Sequence, residues 1–336
     1  MYLEKPKADG SAIDSIIFGS VFAKVFIETV RLKLYDHLEK PMKFQEIANA
    51  VDLSPFMTEM ILKCLVEHEL VTRENDYFCN TPIASEFLVS TSPYSQHKII
   101  ELTMGNCDFV CANISELVKT PGQTSGEFRK RFAMLDSIEG IKQHSKRGSL
   151  QDTVSFISKL PCFQNIKTLC DVGGSHGSYS MELLNRNPNL TAIIAELPPA
   201  IPVIEQIIEQ TEYNNRLFAV PYDLRKEQLP ENSYDCVLVS HVLQVFEENL
   251  EETIAKLASS VVPGGWLISN HMCSKSSIDP IYKSRFNLYS GLFVNASHFI
   301  DEQRLELAFQ KAGLKHFIKE NSGVNDINLI LAAKKV

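Results

Sequence analysis

One eight-residue segment in the second half of the sequence combines residue types that suit the binding of a small charged molecule. Asp171-Val172-Gly173-Gly174-Ser175-His176-Gly177-Ser178 follows an apolar run, residues 166–170, and precedes a helix-like stretch, residues 179–184. Glycines allow the backbone to turn sharply and approach a ligand, and a helix N-terminus offers free N–H groups to a carboxylate or phosphate. We expect a strand, a tight loop and a helix that together bind a small anionic group.

The glycine spacing separates two classes of cofactor. A dinucleotide fingerprint requires G-x-G-x-x-G, but the residues two positions after Gly173 and Gly174 are Ser175 and His176. The pattern is instead D-x-G-x-x-x-G, from Asp171 to Gly177. It resembles the first motif of class I methyltransferases that use S-adenosylmethionine (SAM). The alternative interpretation is an unrelated tight turn between a strand and a helix.

Two further acids end predicted strands, where ligands of open α/β sheets bind. Glu196 follows Asp171 by 25 residues and is placed to accept hydrogen bonds from ribose hydroxyls. Asp223 is placed to accept from an adenine amino group, and Leu224 to cover the adenine ring. The alternatives are a solvated acid before the turn at Leu197 and an ordinary strand-end cap.

The elements around these residues predict an α/β fold, a Rossmann-like doubly wound sheet. Predicted strands alternate with helices, and they are Ile166–Asp171, Thr191–Glu196, Leu217–Tyr222, Tyr234–Ser240 and Trp266–Asn270. Two more are predicted at Lys315–Glu320 and Asn328–Ala333, after a helix at Glu302–Ala312. Seven residues between them are too few for a helical crossover, so the last strand is expected to be antiparallel.

The first 100 residues predict a mainly helical, winged-helix-like domain. Helical spacing of apolar residues runs from Ile13 to Leu38. A helix that begins at Ser54-Pro55 is expected to bury Met57, Met60, Ile61, Cys64 and Leu65. A predicted hairpin, residues 70–80, follows it. This pattern raises a DNA-binding hypothesis, but the candidate recognition helix has Glu59 and Glu67 against a single lysine and no arginine.

We expect residues 101–160 to form a helical connector that contributes to an acceptor pocket, and residues 161–336 to form the catalytic domain.

Composition excludes some classes of partner. The net charge of −8 argues against a nucleic-acid or anionic-membrane binder. The eight cysteines are spread through the chain, several of them inside apolar runs, which is typical of a reducing compartment. Cys107 and Cys111 have no second pair or nearby histidine to complete a metal site, so no metal is predicted. We see no apolar run long enough for a membrane span and expect a cytoplasmic protein.

Over nearly its full length the sequence resembles the plant-phenol and hydroxyindole O-methyltransferase family. The segments that carry the resemblance are Asp171-Val172-Gly173-Gly174 with Gly177, Glu196-Leu197-Pro198, Asp223, and Pro263-Gly264-Gly265. The resemblance implies a SAM-dependent enzyme acting on a small molecule, and a homodimer formed through a winged-helix dimerisation domain. The cofactor-binding residues it implies, together with those argued above, are Ser149, Asp171, Gly173, Gly174, Ser175, Gly177, Glu196, Leu197, Asp223, Leu224 and Ser240.

The sequence departs from this family at the catalytic base. Where the family has L-H-D-W, with the histidine as base, this chain has Leu243-Gln244-Val245-Phe246. Asn270 stands where the family has an acid that orients the histidine, and Phe299 stands near a further family acid. A phenol of pKa about 10 is mostly neutral at pH 7, so its methylation benefits from a base. A carbon nucleophile, an enol or a partly ionised thiol needs less help, and in this respect the chain is similar to the branch that lacks the histidine, such as the bacteriochlorophyll C-20 methyltransferases.

Four other residues are candidate bases. His241 and His271 follow the fourth and fifth predicted strands, while Tyr289 and His298 lie where the family lines its acceptor pocket. Each has core packing or solvent exposure as the alternative. Two other functions stay open: a SAM-binding enzyme that catalyses a rearrangement or decarboxylation, and a winged-helix regulator that responds to SAM. Neither the acceptor nor the pathway is evident from the sequence.

Overall fold

The computed structural model describes residues 7–122, 134–275, 277–294 and 297–336. The chain divides into two compact units, Met1–Gly105 and Asn106–Val336. The second unit therefore includes most of the predicted connector as well as the sheet. Residues 123–133 of that connector lie outside the described residues, and the three-part division of the chain stays a prediction.

The first unit contains short helices and a small antiparallel sheet. Its elements are α1 (Ser11–Arg31), α2 (Leu34–His37), β1 (Met42–Lys43), α3 (Phe44–Ala50), α4 (Pro55–Glu67), β2 (Val71–Glu74), β3 (Tyr77–Asn80), α5 (Pro82–Phe87) and α6 (His97–Leu117), of which the last continues into the second unit. The strand order is β1-β3-β2. The predicted hairpin is present, with its turn at Asn75, whose φ is 54°. The winged-helix description of this unit stays a prediction.

Two details of the first unit differ from the sequence prediction. The helical pattern that starts at Ile13 breaks at Lys33, whose left-handed φ of 53° separates α1 from α2. The prediction that Met57 is buried is wrong, because its side chain is exposed. The prediction for Leu65 is confirmed, and α4 also buries Thr58 and Leu62, whereas Met60, Ile61 and Cys64 are half-buried. The apolar residues of α4 surround much of the helix, so spacing alone identified the buried face only in part.

The outer face of α1 is apolar. Ile13, Ile16, Ile17, Phe18 and Val21 are between 56% and 73% exposed. An exposed cluster of this size typically marks a surface that binds another protein chain.

The second unit is built on a seven-stranded sheet. Its strands are β4 (Thr168–Val172), β5 (Thr191–Glu196), β6 (Leu217–Pro221), β7 (Tyr234–Ser240), β8 (Val261–Met272), β9 (Leu314–Ser322) and β10 (Asn328–Lys335). Its helices after α6 are α7 (Leu135–Ser145), α8 (Ser149–Ser158), α9 (Ser178–Arg186), α10 (Ile201–Glu209), α11 (Leu250–Ser260), α12 (Pro280–Val294) and α13 (Glu302–Lys311).

The strand order β6-β5-β4-β7-β8-β10-β9 confirms the predicted architecture. The first five strands in this order, β6, β5, β4, β7 and β8, are parallel to one another. Strand β10 runs antiparallel to both of its neighbours, β8 and β9. Alternating side chains of each strand enter separate cores on the two faces of the sheet: in β7, for example, Cys236 and Leu238 enter one core, and Val237 and Val239 enter the other. Burial on both faces explains why the strands appear in the sequence as continuous apolar runs.

Observed strand bounds lie close to the predicted ones except at β8. That strand was predicted from Trp266 but begins at Val261, and its pairing with β7 shifts register between Tyr234 and Cys236. In the part of the chain that the structure describes, no helix is both long and apolar enough to cross a membrane.

Candidate active site

The glycine loop between β4 and α9 is held tightly against the end of the sheet. The backbone N–H of Gly173 donates to the carbonyl of Ala195 on β5 at 2.9 Å, and Gly173 has a φ of 73°. A Cβ added to Gly174 would lie only 2.6 Å from the carboxyl carbon of Asp171. Ser175 is also left-handed, with a φ of 44°. Because Gly174 lies against the buried Asp171 carboxylate, no larger residue fits at this position. The loop leads directly into the N-terminus of α9.

Two carboxylates lie beneath this loop at the ends of adjacent strands. Asp171 is only 1% exposed and accepts a hydrogen bond from the Ser180 hydroxyl at 2.8 Å. Glu196 accepts from the backbone N–H of Leu197 at 2.7 Å. Burial, opposed by the Ser180 hydrogen bond and assisted by the nearby Glu196 carboxylate, raises the pKa of Asp171 to about 7. Burial also raises the pKa of Glu196.

This pair of acids fits the chemistry of SAM. A buried and a half-buried carboxylate, Asp171 and Glu196, are stabilised by a ligand that brings positive charge and hydroxyl donors, and SAM carries both. The fit therefore rests on the acids Asp171 and Glu196 together with the glycine loop that covers Asp171.

Asp223 has a partner that the sequence analysis did not predict. Its two carboxylate oxygens accept from the Arg225 guanidinium at 2.7 and 2.8 Å. These hydrogen bonds hold the pKa of Asp223 below its ordinary value. Leu224 is buried beside it. The predicted role of Asp223 toward an adenine amino group would have to be shared with Arg225.

A network of hydroxyl groups surrounds Asn270 at the end of β8. The Asn270 amide nitrogen lies 3.0 Å from Ser149 Oγ, 2.9 Å from Thr153 Oγ1 and 3.2 Å from Ser240 Oγ. Ser149 Oγ lies a further 3.0 Å from the Tyr179 hydroxyl. The structure thus brings the predicted cofactor residues Ser149 and Ser240 together through an asparagine.

His241 lies beside this network, and Gln244 supports its backbone. The Nε2 of His241 is 3.4 Å from Ser149 Oγ, and its backbone is left-handed with a φ of 54°. The Gln244 side-chain amide donates to the His241 carbonyl at 2.6 Å, and the Asn270 carbonyl accepts from the His241 N–H at 2.8 Å. Gln244, at the position of the expected base, therefore bonds to the main chain.

His271 is unsuited to act as a base. Its Nε2 accepts hydrogen bonds from the backbone N–H groups of Val242 and Leu243 at 3.0 and 2.9 Å, so the lone pair of that nitrogen is already used. The residue is 1% exposed, and burial lowers its pKa. His176 is used in a similar way, because its Nδ1 accepts from the N–H of Ser178 within the loop.

Tyr289 and His298 lie in an aromatic cluster built on α12. The rings of Tyr282 and Phe286 are 5.8 Å apart with planes within 6°, and His298 meets Phe286 edge-on at 4.8 Å. The Tyr289 ring meets Phe293 at 5.0 Å. Burial raises the pKa of Tyr289 to about 12, so its hydroxyl stays protonated at neutral pH. Burial lowers the pKa of His298, so its imidazole is neutral.

Several of these residues were not identified from the sequence. Tyr179 and Thr153 look like ordinary helix residues, and Arg225 lies in a polar loop. Their contacts join positions far apart in the chain, which spacing does not reveal. Among the described residues, no group of three or more histidine, cysteine or acidic side chains is arranged to hold a metal ion.

Comparison with known families covers both units. The model of the O-methyltransferase dimerisation domain matches residues 15–90, and that of a methyltransferase domain matches residues 143–317. The second match alone covers more than half of the chain.

Individual relatives are distant but extensive. An uncharacterised protein of Methanocaldococcus jannaschii is 25% identical over 234 residues, which is 67% of this chain and 62% of that protein, so the chain spans less than two thirds of its length. Bacteriochlorophyllide d C-20 methyltransferase of Chlorobaculum tepidum is 22% identical over 295 residues, 85% of this chain and 86% of that enzyme.

Among solved structures, human N-acetylserotonin methyltransferase in complex with SAM shares the fold, with a TM-score of 0.72 at 17% identity over 99% of each chain. The family match, the sheet with its antiparallel last strand and the glycine loop over two acids agree with one another. The chain belongs to the SAM-dependent methyltransferases, in the branch whose catalytic domain follows an O-methyltransferase dimerisation domain.

Proposed function

We propose that this enzyme methylates a carbon, or an easily ionised heteroatom, of a small or medium aromatic or conjugated metabolite. The observation that carries the proposal is the orientation of Gln244, whose amide bonds to the His241 carbonyl at the position where the resemblance predicts a base. An amide cannot take a proton from a phenol at neutral pH. An acceptor that reacts through carbon, or is already ionised, does not need that base.

We assign the SAM site to the residues around the glycine loop. They are Ser149, Asp171, Gly173, Gly174, Ser175, Gly177, Glu196, Leu197, Asp223, Leu224 and Ser240. When bound, SAM supplies a methyl group on a positively charged sulfur. The carboxylates of Asp171 and Glu196 stabilise that charge and accept from the hydroxyls, and the ordered loop fixes the orientation. Alignment of this kind contributes much of the acceleration of a bimolecular transfer.

The aromatic cluster of α12 supports a flat, conjugated acceptor. The rings of Tyr282 and Phe286 stack on each other and, with Tyr289 and Phe293, form an aromatic surface of the kind on which a planar, conjugated ligand packs. The names of two related proteins point the same way, because one concerns a bacteriochlorophyllide and the other N-acetylserotonin.

Of the candidate bases, His241 is the one we favour. His271 has its Nε2 occupied, and Tyr289 is a buried, protonated phenol. His298 packs on Phe286 and lies 3.4 Å from the Ser290 hydroxyl, and it stays a second candidate. His241 is the candidate that contacts the Ser149 network.

We further propose a cytoplasmic homodimer that forms through the exposed apolar face of α1 and binds neither nucleic acid nor membranes. The match to a dimerisation domain supports the dimer. The net charge of −8 and the pairing of Lys63 with Glu59 at 3.0 Å argue against DNA binding by α4.

Calorimetry with SAM, followed by mass spectrometry of products from a metabolite pool, tests the function. We expect SAM binding and a product 14 daltons heavier than its acceptor. A product without that gain would favour the alternative of a SAM-dependent rearrangement or decarboxylation. Retention of duplex DNA in a shift assay at physiological salt would favour the regulator.

A further inference from the structure

More hydroxyl oxygens lie within hydrogen-bonding distance of the Asn270 amide nitrogen than it can donate to at one time. Its nitrogen lies within 3.2 Å of the oxygens of Ser149, Thr153 and Ser240, and the residue is completely buried. An amide nitrogen has two protons. The cluster is therefore a shared network, in which a change at Asn270 reaches all three hydroxyls.

Ser149 connects this network to His241. A hydroxyl has one proton and two lone pairs, and the Asn270 amide occupies one lone pair of Ser149. Tyr179 and His241 are the other two partners, at 3.0 and 3.4 Å. While Asn270 donates to Ser149, one of these two partners donates to Ser149 and the other accepts its proton. When His241 donates through Nε2, its Nδ1 carries a lone pair, and among the described residues no hydrogen bond to that Nδ1 is seen.

Building on the proposed function, we propose that Nδ1 of His241 takes up the proton released by the methyl acceptor, and that Asn270 is a positioning residue that acts through Ser149. In this arrangement the imidazole Nε2–H donates to Ser149 before and after proton uptake. Gln244 completes the arrangement by bonding to the His241 carbonyl, which stabilises the left-handed backbone. The proposed base, His241, thus lies three residues before Gln244, which occupies the position of the expected base.

The neutral network selects the kind of proton that His241 can accept. Burial lowers the pKa of His241, and its partner Ser149 is a hydroxyl, which stabilises an imidazolium less than a carboxylate does. A weak base removes only an acidic proton. The C–H of a ring carbon that has just been methylated is such a proton, whereas an ordinary phenol O–H is not.

With a carbon acceptor, methyl transfer is followed by loss of a ring proton. A π pair of the ring forms the new C–C bond to the methyl group, and the C–S bond breaks with its electron pair left on sulfur. His241 Nδ1 then binds the ring proton, and the C–H pair restores the aromatic ring. A heteroatom acceptor would give up its proton to the same nitrogen.

The groups facing His241 are mostly histidines. The His271 ring lies 6.1 Å away, and His298 and His144 are close enough for their positive forms to lower the pKa of His241. Tyr179 faces it through Ser149. In the described part of the chain no carboxylate bonds to His241, so a carboxylate introduced at position 270 would be new to its surroundings.

Proton titration of the nine histidines by NMR, with isotope-labelled protein, tests the network without a known acceptor. The His241 signal is assigned as the one absent from His241→Gln. We expect Asn270→Asp to raise the pKa of His241 by about one unit or more, because a carboxylate is placed one hydroxyl away. Ser149→Ala should lower it, because the acceptor of the Nε2 proton is lost. Thr153→Val, the matched control, removes a hydroxyl that contacts Asn270 but not His241 and should leave the titration unchanged.

Calorimetry with SAM on the same proteins distinguishes a failure of the proposed function from a failure of the positioning role of Asn270. If the wild type binds no SAM, the proposed function fails whatever the histidines do. If the wild type binds SAM but the His241 titration is the same in Asn270→Asp and Ser149→Ala, the positioning role is refuted. A change in SAM affinity alone, without a change in that titration, would assign Asn270 to cofactor binding and overturn the proposal.

Discussion

The raised pKa of Asp171 predicts that the second unit loses stability as the pH rises. Its folded pKa is about 7, against about 3.8 for an ordinary aspartate. A folded acid with a raised pKa binds its proton more tightly than the unfolded chain does, so stability is lost as the pH rises from about 4 through 7. At about 1.4 kcal/mol per pKa unit, the raised pKa of Asp171 lowers the stability of the fold, relative to low pH, by about 4 kcal/mol at pH 8, where the folded carboxyl is ionised, and by about 2 kcal/mol at pH 5.5, where folding requires its protonation.

Asp171→Asn removes this penalty and keeps the shape of the side chain. The variant should therefore gain about 2 kcal/mol more relative to wild type at pH 8 than at pH 5.5. Urea unfolding followed by the fluorescence of Trp266 measures the difference, because the sequence has one tryptophan and it is buried in β8. Calorimetry should show weaker SAM binding by the variant, because the stabilising charge is gone.

Asp223→Asn is the matched control, since Asp223 lies just after strand β6 and, unlike Asp171, has a lowered pKa. Both states of that acid are ionised from pH 5.5 to 8, so its substitution should destabilise the protein equally at the two pH values. An equal stability change for Asp171→Asn at pH 5.5 and pH 8 would refute the reasoning about the buried carboxylate.

Three other substitutions test the site and the dimer. Gly174→Ala should abolish SAM binding in calorimetry because its methyl group would collide with the Asp171 carboxylate, whereas Gly105→Ala, with no atom within 4 Å, should bind SAM normally. Gln244→Ala should lower the free energy of unfolding by about 1 kcal/mol through loss of its bond to the main chain, measured by urea unfolding, and an unchanged value would show that this bond is not stabilising. Ile16→Glu should convert a dimer to a monomer in light scattering, while Val324→Glu, at another well-exposed apolar position in the second unit, should not; a dimer that persists in Ile16→Glu would place the interface elsewhere.

The sheet was predictable because its signals are local. Each parallel strand is buried on both faces, so it appears as an apolar run, and five residues between β9 and β10 leave no room for a helix. The glycine loop was predictable for a similar reason: its backbone turns need glycine at fixed spacing around Asp171. In α4, where apolar residues surround much of the helix, the buried face was predicted only in part: Leu65 is buried as predicted, whereas Met57 is exposed.

The partners within the site were not predictable, because the bonds connect distant segments. Asn270 and Ser149 are separated by 121 positions, and only the folded sheet brings them together. The loss of the family's base at Gln244 was evident in the sequence, but the turn of its amide toward His241 was not. Side-chain direction near a strand end depends on the neighbouring segments: for His271, the backbone that follows β7 supplies two N–H groups to one ring nitrogen.

The position of β10 inside the sheet has a consequence for biosynthesis. Residues 328–335 pair with β8 on one side and β9 on the other, and they add Leu329, Ile330 and Leu331 to the two cores. While the nascent chain emerges from the ribosome, β8 therefore presents an open apolar edge until these residues follow it. The catalytic unit should complete its fold only after they leave the exit tunnel, and during that interval the chain is most exposed to aggregation and to chaperone capture.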